Sequence, residues 1–303
     1  MNSDRQYLRK AGLLVAGGGS ALDLSEMHFR FSVHTADVES PNNAIIRIHN
    51  LSDDTARRVR GEYSSVVLQA GYEGAFGEIF QGSIKQVRFG KLNGVDKFLD
   101  IFAADGDIGY NFGFVNKTLA AGATSADVID AAAKAMNVKT ADLAKNHYTL
   151  PRGKVLYGMA RDMVREVAAT LGATWSIQNG ELQLIPLRGY LPGEAVVLNK
   201  ATGMIGIPEQ TEQGISVRAL LNPRLRIGGL FRLNNNEITQ TQVNSIVAFN
   251  DHKALVQRAP MSGDGTYRLL MVEHVGDTRG QEWYSDLVGL AFDPSVAQVA
   301  DGL

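Results

Sequence analysis

The chain has 303 residues, 45% of them apolar and 20% charged, a composition typical of folded globular proteins with room for two or three domains. Thirty Lys and Arg side chains against 32 Asp and Glu leave a formal net charge of -2, which disfavours electrostatic capture of nucleic acid or anionic lipid. Because the chain contains no cysteine, disulfide scaffolds, thiolate zinc sites and Cys nucleophiles are excluded. No apolar run approaches the roughly 20 residues that cross a bilayer, so we expect no membrane span.

The first third of the chain shows the period-two alternation of β-strands. Apolar and polar side chains alternate over 27–34, which predicts a strand with one wet face. The glycine run at 17–19 predicts the hairpin turn that precedes this strand. Ser52, followed by two Asp residues, predicts the N-cap of one short helix. Three further β runs between 65 and 104 have the spacing of a barrel or a sandwich.

From about residue 112 the apolar pattern changes from period two toward the helical period. Thr124 and Asp127 form a capping-box pattern and predict a helix after them. The apolar face of this helix comprises Val128, Ile129, Ala132 and Met136. A second helix is predicted within 153–172, with a stop near Gly172. Its apolar face comprises Leu156, Met159, Met163, Val167 and Leu171.

A β-hairpin follows the second helix, and the chain then returns to β character. The pair Asn179-Gly180 is a strong two-residue turn signal between alternating segments. The stretch at 203–233 is rich in Gly and Pro, then alternates apolar and polar residues, and contains no group suited to catalysis. We interpret it as the bend and first strands of another β module. The last residues, 293–303, have the composition of a flexible tail.

Histidines and acids give no metal motif. The histidines are scattered along the chain as His28, His34, His49, His147, His252 and His274. His28 and His34 share a strand face and could meet one metal, but the simpler interpretation is solvated side chains. The run Asp105 to Asn111 resembles the opening of a calcium loop, yet Gly109 and Asn116 replace ligands that such a loop needs. We therefore predict a turn there, with no metal and no cofactor.

The densest acid-base cluster lies within 273–282. It holds Glu273, His274, Asp277, Arg279 and Glu282. Two carboxylates and a His could serve a hydrolase. The competing interpretation is a turn between two strands, with its charges in water and Trp283 packed on the next strand. No nucleophile motif accompanies the cluster, so we predict no catalytic residue.

Phenylalanines of the first β module could form a stacking platform for oligonucleotides, but no basic groove accompanies them, and we expect them in the core. They are Phe29, Phe31, Phe76, Phe80, Phe89, Phe98 and Phe102.

Several segments resemble one family when taken in their order. In the first third these are YLRKAGLLV, LDLSEMHFRFSV, PNNAIIRIHNLS, VVLQAGYEG, EIFQGSIKQ and AADGDIGYN. They look like the first domain of phage baseplate hub proteins, in which a strand with the pattern P-N-x-A-x-I-x-I-x-N-L-S leads into a short helix. The segment at 150–186 resembles the helical insertion of that family. The segments at 202–233 and 272–289 resemble its second barrel domain, entered through an LLNP turn.

The resemblance implies an α+β, mainly β fold, with two tail-tube-like β-barrel or sandwich domains and an α/β insertion between them. The implied boundaries are 1–110 for the first barrel domain, 111–202 for the insertion, 203–292 for the second barrel domain and 293–303 for the tail. Such hubs are trimers, so that three copies of two barrels make a six-membered ring between a six-fold tube and a three-fold spike. The near-zero charge suits a channel wall past which DNA slides.

The implied function is a structural, non-enzymatic baseplate hub of the virion, assembled in the host cytoplasm. Its expected partners are further copies of the chain, the tail-tube and spike proteins and a tape-measure protein, with DNA passing through the lumen without specific binding. Two alternatives stay open: the hub module of a contractile secretion spike, and a glycan or peptidoglycan hydrolase using the Glu273 to Glu282 cluster. Edge strands such as EIFQGSIKQ are expected to need a neighbouring subunit.

Overall fold

The computed structural model describes residues 7–140, 148–187, 189–240 and 260–292. The predicted tail, His147 and His252 therefore lie outside the described residues. The first module is built of strands and one helix. These are β1 (Tyr7–Gly17), β2 (Ser20–Asp23), β3 (Phe29–Ala36), β4 (Asn43–His49), α1 (Asp53–Glu62), β5 (Ser65–Glu73), β6 (Ala75–Lys91) and β7 (Lys97–Ala104).

Local patterns in the first module form the predicted elements. Gly18 and Gly19 have positive φ in the turn between β1 and β2, a conformation that glycine adopts without strain. Ser52 caps α1, because its side chain accepts a hydrogen bond from the Thr55 amide. Along β3, Phe29, Phe31 and Val33 are buried and Arg30 is exposed. The alternation predicted for this strand is confirmed.

The insertion follows β7 and mixes helices with short strands. Its elements are α2 (Asp107–Phe112), β8 (Phe114–Leu119), α3 (Ser125–Met136), β9 (Lys139–Thr140), β10 (Lys154–Met159), α4 (Ala160–Leu171), β11 (Ala173–Gln178) and β12 (Glu181–Pro186). The capping box of Thr124 and Asp127 opens α3 as predicted. Asn179 and Gly180 both have positive φ, at 53° and 76°, and make the tight turn between β11 and β12.

Two predictions for the insertion are wrong. The second helix does not begin near 153, because Lys154–Met159 is the strand β10, which pairs antiparallel with β8. Only Ala160–Leu171 is helical, and it ends at Gly172 in the left-handed conformation as expected. The predicted turn at Asp105 to Asn111 is mostly the six-residue helix α2, which starts after Gly106 at φ 64°.

The second module contains most of the remaining strands. They are β13 (Val196–Val197), β14 (Met204–Gln210), β15 (Ile215–Leu220), β16 (Leu230–Arg232), β17 (Thr239–Gln240), β18 (Thr266–Asp277) and β19 (Trp283–Ala291), with a 3-10 turn at Asn235–Glu237. The stretch at 203–233 thus supplies β14, β15 and β16. It forms β structure, as its alternation predicted.

The two β modules share one sheet. Eight of its strands are ordered β14-β15-β19-β18-β3-β4-β7-β6, and we call this layer the central sheet. Every neighbouring pair in it is antiparallel. The central contact is the ladder of β18 with β3, in which Met271 to Asp277 pair with Ala36 to Arg30. The prediction of a mainly β protein with a smaller helical part is confirmed.

Buried apolar side chains form three clusters. The first lies mainly in the first module and includes Phe29, Ile46 and Leu99. The second fills the insertion around Trp175, and the third fills the second module around Phe231. Each β cluster lies against one face of the central sheet, and no apolar cluster of the described residues covers the opposite face of that sheet.

The strand connections of the two β modules repeat. In the first module β3, β4, β7 and β6 lie side by side, and in the second β14, β15, β19 and β18 lie in the same relative order. In both, a fifth strand pairs with the last one: β5 with β6, and β16 with β18. The long strands β6 and β18 each carry a register shift in their pairing with the next strand. The modules are therefore two versions of one β unit. In this comparison β3 of the first module corresponds to β14 of the second, and β6 of the first corresponds to β18 of the second.

Candidate functional site

The coreless face of the central sheet crosses the boundary between the modules and is the main candidate site. Ile45, near its centre, is 45% exposed although it lies in an interior strand. We call this surface the open face. One row across it contains charged residues from five neighbouring strands. They are Asp277, Arg30, Arg47, Asp100 and Arg88, and the strand registers place them side by side.

Every cation of this row contacts a carboxylate. Arg30 Nε lies 2.7 Å from Asp277 Oδ2. Arg47 donates two bonds to Asp100, at 2.6 and 2.9 Å, and Arg88 donates a third at 3.1 Å. The guanidinium groups of Arg47 and Arg88 also lie over the Phe98 ring, 4.7 and 5.7 Å from its centre. Asp100 is consequently only 2% exposed at the side chain.

A second charged group lies on the same face in the second module. Arg218 donates two bonds to Asp286, at 2.7 and 2.8 Å. Glu273 lies next to Asp286 in register and accepts a 2.8 Å hydrogen bond from Ser32 of the first module. Cations and acids balance across these two groups: Arg30, Arg47, Arg88 and Arg218 stand against Asp100, Glu273, Asp277 and Asp286. The open face is charged but locally neutral.

The acid-base cluster at 273–282 forms the predicted turn between β18 and β19, in which Arg279 and Glu282 are exposed as predicted but Asp277 is buried. Asp277 is 3% exposed and accepts hydrogen bonds from the amides of Arg279 and Gly280 and from His28 Nε2. Burial acts to raise the pKa of Asp277, but these hydrogen bonds and the Arg30 charge together lower it. The turn is also held from the first module, because Arg9 donates to the carbonyls of Gly280 and Gln281.

Glu273 and His274 do not form an acid-base pair. They are consecutive residues of β18, so their side chains point to opposite faces of the sheet. The His274 ring lies inside, 3% exposed, with Nδ1 2.7 Å from Ser285 Oγ. Burial lowers the pKa of His274 to about 4, so the imidazole is neutral at pH 7. The geometry brings Glu273 to Ser32 and Asp277 to Arg30, and thus ties two modules together.

The histidines of the first module also bind protein groups. His28 is bonded to Asp277 and stacks on His49, with ring centres 4.4 Å apart. The prediction of a solvated His28 is therefore wrong, whereas His34 lies opposite Glu273 and is partly exposed. Within 7–140, 148–187, 189–240 and 260–292, no group of three or more His, Asp or Glu side chains could hold a metal ion. No helix in these ranges is long and apolar enough to cross a membrane.

The expectation that the phenylalanines are core residues is only partly confirmed. Phe29, Phe31 and Phe80 are buried. Phe76 and Phe89 are 41% and 43% exposed. The exposed rings lie apart on β6, so they do not make a continuous stacking platform.

The insertion is fixed at one end of the central sheet. Asn42 precedes β4, and its side-chain amide donates to the Ile177 carbonyl at 2.9 Å. Asp105 follows β7 and accepts the Gly180 amide at 2.9 Å, so that it holds the turn between β11 and β12. Desolvation raises the pKa of Asp105 to about 6, against the lowering effect of the Gly180 and Asn179 amides.

The central sheet ends in two strands with unpaired segments. On the side away from β7, β6 pairs with β5 only over 75–83, so among the described residues 85–91 lack a partner strand there. At the other end β14 pairs with β17 only at Glu209 and Gln210, which leaves 204–208 without a described partner strand on the side away from β15. Exposed basic residues lie along the free part of β6, and Glu209 and Glu212 lie at the end of β14. The sequence predicted that the strand at 78–86 would need a partner from a neighbouring subunit. In the structure the segment that lacks a partner strand on this side is 85–91.

The charged row on the open face was not found from the sequence. Arg30, Arg47 and Asp100 each occupy a polar position in an alternating strand, which indicated only that they face away from the core. Their mutual contacts depend on the registers of β3, β4 and β7, and hydrophobic alternation alone does not fix which strands are neighbours.

Solved structures with this fold come from phage-derived tails and from a secretion system. The 43 kDa tail protein of prophage MuSo2 from Shewanella oneidensis aligns with a TM-score of 0.57 and 7% identity, over 92% of this chain and 97% of that one. A tail protein from Neisseria meningitidis MC58 aligns with a TM-score of 0.58 and 10% identity, over 93% and 96%. At these identities the likeness shows the fold alone. No curated protein sequence matches the chain.

A third structure is an E. coli protein described as a component of the type VI secretion system, similar to the bacteriophage T4 tail proteins gp27 and gp5. It aligns with a TM-score of 0.54 and 8% identity, over 90% of this chain and 76% of that one. The sequence itself matches the family model described as Baseplate hub gp41 over residues 12–237, which is most of its length. The chain therefore belongs to the baseplate hub gp41 family, and its role is that of a structural protein of the phage tail baseplate.

Proposed function

We propose that three copies of this chain close into a ring that joins the six-fold tail tube to the three-fold spike. In this proposal 1–110 and 203–292 are the two tube-like domains and 111–202 is the insertion. Each copy contributes two equivalent β units, so three copies supply six. The ring is a virion component without catalytic activity, and its direct partners are the tube and spike proteins, with a tape-measure protein in the bore.

The observation that carries this proposal is the ladder between β18 and β3. Within one chain, the last strand of one unit pairs antiparallel with the first strand of the other. The free edge strands β6 and β14 are the equivalents of β18 and β3. The same antiparallel ladder can therefore form between β6 of one copy and β14 of the next, and unpaired edge amides favour such a contact. In this ladder the free segment 85–91 of β6 would lie along the free segment 204–208 of β14.

Closing the ring in this way places the open face toward the bore. DNA moving through the bore would meet arginines whose charges are already matched by Asp100, Asp277 and Asp286. A basic wall would exchange counterions with each passing phosphate and hold the DNA. Because each arginine is paired with a carboxylate, the wall of the bore stays polar and hydrated but does not hold the DNA.

Cysteine crosslinking tests the ring directly, because the natural chain has no cysteine. Gln86 on β6 and Ile207 on β14 are exposed, and Ile207 is 64% exposed. The double variant Gln86→Cys with Ile207→Cys, treated with a short bis-maleimide, is expected to give covalent dimers and trimers. Native mass spectrometry of the untreated protein should show the trimer.

The matched control moves one cysteine to a different sheet edge. Ala21 is exposed on β2, which is the terminal strand at one end of the fourteen-stranded sheet. The pair Ala21→Cys with Ile207→Cys should leave the chain uncrosslinked at the same protein concentration. Equal crosslinking of both pairs, or a monomer at all concentrations, would refute the ring.

The secretion-spike alternative uses the same ring in another machine, and the E. coli structure shares the fold with this chain. The two roles differ in the kind of particle that contains the ring. Co-purification with DNA-filled particles supports the phage role, and recovery only with a contractile sheath that lacks a capsid supports the secretion role.

A further inference from the structure

The chain contains two Asn-Gly sequences, at 93–94 and 179–180. In such a pair the backbone nitrogen of glycine can attack Cγ of the asparagine, because glycine has no side chain to hinder the approach. A C–N bond forms and closes a succinimide ring. The glycine amide gives its proton to a solvent base, and the side-chain nitrogen takes a proton from water and leaves as ammonia. Water then opens the ring to an aspartyl or isoaspartyl residue.

The turn between β6 and β7 holds the first pair in an open position. Asn93 and Gly94 are both exposed. Asn93 Oδ1 accepts hydrogen bonds from the amides of Val95 and Asp96, at 3.0 and 2.7 Å. Two N–H donors on this oxygen draw electrons away from Cγ and stabilise the oxyanion that forms when a nucleophile adds there. The turn therefore activates the carbon that is attacked.

The attacking and leaving nitrogens of this pair are also well placed for the reaction. Asn93 Nδ2, which leaves, donates to Asp96 Oδ2 at 2.9 Å, so the side-chain amide is held in one orientation. The Gly94 amide donates to no group in the part of the chain that the structure describes. Attack by the Gly94 nitrogen thus breaks no hydrogen bond that this nitrogen makes to the described protein.

The second pair is held in the turn between β11 and β12. Asn179 and Gly180 are partly buried, and both have positive φ. The Gly180 amide donates to Asp105 Oδ1 at 2.9 Å, and the Gly180 carbonyl accepts the Lys139 amide at 3.0 Å. Attack by the Gly180 nitrogen would take a donor away from a carboxylate that is only 2% exposed. Breaking a hydrogen bond to such a charged group lowers the reactive population roughly tenfold or more.

We propose that Asn93 is a site of spontaneous deamidation in the folded protein and that Asn179 is protected from it. The product at position 93 has a carboxylate in place of the Nδ2 donor, so it meets the Asp96 carboxylate with a like charge. In the unmodified chain the hydrogen bond from Asn93 keeps the pKa of Asp96 below its ordinary value. An isoaspartyl product also adds a carbon to the backbone. The modified turn therefore loses the contacts that close it between β6 and β7.

Peptide mapping measures both sites in one sample of the full-length chain. Trypsin cuts after lysine and arginine, so Asn93 falls in the peptide 92–97 and Asn179 in the peptide 166–188. The folded protein is incubated in mildly alkaline buffer, and samples are digested at intervals. Chromatography with mass spectrometry then separates the amide, aspartyl and isoaspartyl forms. The chain unfolded in guanidinium chloride, incubated in parallel, gives the reactivity that the sequence sets by itself.

The two sites should respond to folding in opposite ways. We expect Asn93 to convert in the folded protein at least as fast as in the unfolded chain. Asn179 should convert roughly tenfold or more slowly in the folded protein than in the unfolded chain. Asp105→Asn weakens the acceptor of the Gly180 amide and should raise the rate at Asn179 toward that of the unfolded chain.

Gly94→Ala tests the identity of the nucleophile. The variant adds a methyl group to the attacking residue, and nothing lies within 4 Å of the added Cβ, so the turn should keep its conformation. Conversion at Asn93 should be largely lost in this variant, whereas Asn179 should behave as in the parent chain.

Three results would overturn the proposal. Slower conversion of Asn93 in the folded protein than in the unfolded chain would show that the turn keeps its side chain away from Gly94. Equal rates at Asn93 and Asn179 in the folded protein would show that the bond to Asp105 gives no protection. Undiminished conversion in Gly94→Ala would show that the Gly94 nitrogen is not the nucleophile.

Discussion

Arg268 and Asp37 form a buried ion pair where the three parts of the chain meet. Arg268 Nη2 lies 3.5 Å from Asp37 Oδ2, and the two side chains are 7% and 3% exposed. Arg268 belongs to β18, Asp37 follows β3, and Thr174 of the insertion donates a 3.0 Å hydrogen bond to the same carboxylate oxygen. Arg268 also donates to the Pro186 carbonyl at 2.9 Å. Desolvation raises the pKa of Asp37 and lowers that of Arg268, so burial acts against both charges.

Removing one partner of this pair should destabilise the chain more than removing both. We expect Arg268→Met to lower the free energy of unfolding by about 3 to 5 kcal/mol, because it leaves the Asp37 carboxylate buried and unpaired. The double variant Arg268→Met with Asp37→Leu should recover a substantial part of that loss. Urea unfolding followed by tryptophan fluorescence measures both. If the losses of unfolding free energy in Arg268→Met and Asp37→Leu simply add in the double variant, the two side chains are not coupled.

Asp105 and His274 should have opposite effects on stability between pH 4 and 6.5. Asp105 has a pKa raised from 3.8 to about 6, so the folded state binds the extra proton and stability falls as the pH rises through this window. His274 has a pKa lowered from 6.5 to about 4, so the unfolded state binds the extra proton and stability falls as the pH drops. Each shift corresponds to about 3 kcal/mol, and the two effects nearly cancel.

Single variants should reveal the two opposing pH dependences of the folding stability, because each variant removes one of the two titrating groups. In Asp105→Asn the remaining effect of His274 should make the protein less stable at pH 4.5 than at pH 6.5, relative to the parent. In His274→Asn the slope should have the opposite sign. Melting temperatures across this pH range, compared with the parent chain, give the readout. Parallel pH profiles for all three proteins would contradict the assignment.

Neutralising Asp100 should make the open face retain DNA. In Asp100→Asn, Arg47 and Arg88 lose their shared carboxylate, which leaves two cations without it on the open face of each subunit. We expect gel retardation of linear duplex DNA by the assembled protein at low salt, weakening as salt rises. Asp54→Asn removes an exposed acid on α1 and serves as the control. If both variants retard DNA equally, retention depends on the net charge of the protein and not on the charges of the open face.

A pair of glycine substitutions tests the packing between the modules. A Cβ at Gly276 would lie 2.3 Å from the Phe31 ring and 2.9 Å from the Trp283 ring. We expect Gly276→Ala to destabilise the fold by about 1 to 3 kcal/mol through overpacking. Gly61 lies in α1 with nothing within 4 Å of an added Cβ, so Gly61→Ala should stabilise by about 0.5 to 1 kcal/mol. Thermal unfolding of the two variants should therefore shift in opposite directions.

The predictable parts of the fold depend on neighbours in sequence. Ser52 caps α1 and the box of Thr124 and Asp127 opens α3 because each bond joins residues three positions apart. Asn179-Gly180 fixes its hairpin through backbone conformations that those two residues adopt readily. The misassigned strand Lys154–Met159 pairs with β8, more than thirty residues earlier, and this distant partner overrides the local helical pattern.

The sequence by itself determined the alternation of strands, the helix caps, the turns and the absence of thiol chemistry, because each of these follows from residue type and short spacing. The family resemblance added the order of the parts. Only the tertiary structure decided that β18 pairs with β3, that Arg30 meets Asp277 and that the acids at 273–282 connect modules. Those contacts join residues more than two hundred positions apart, and their register is set by packing and backbone pairing that no local pattern encodes.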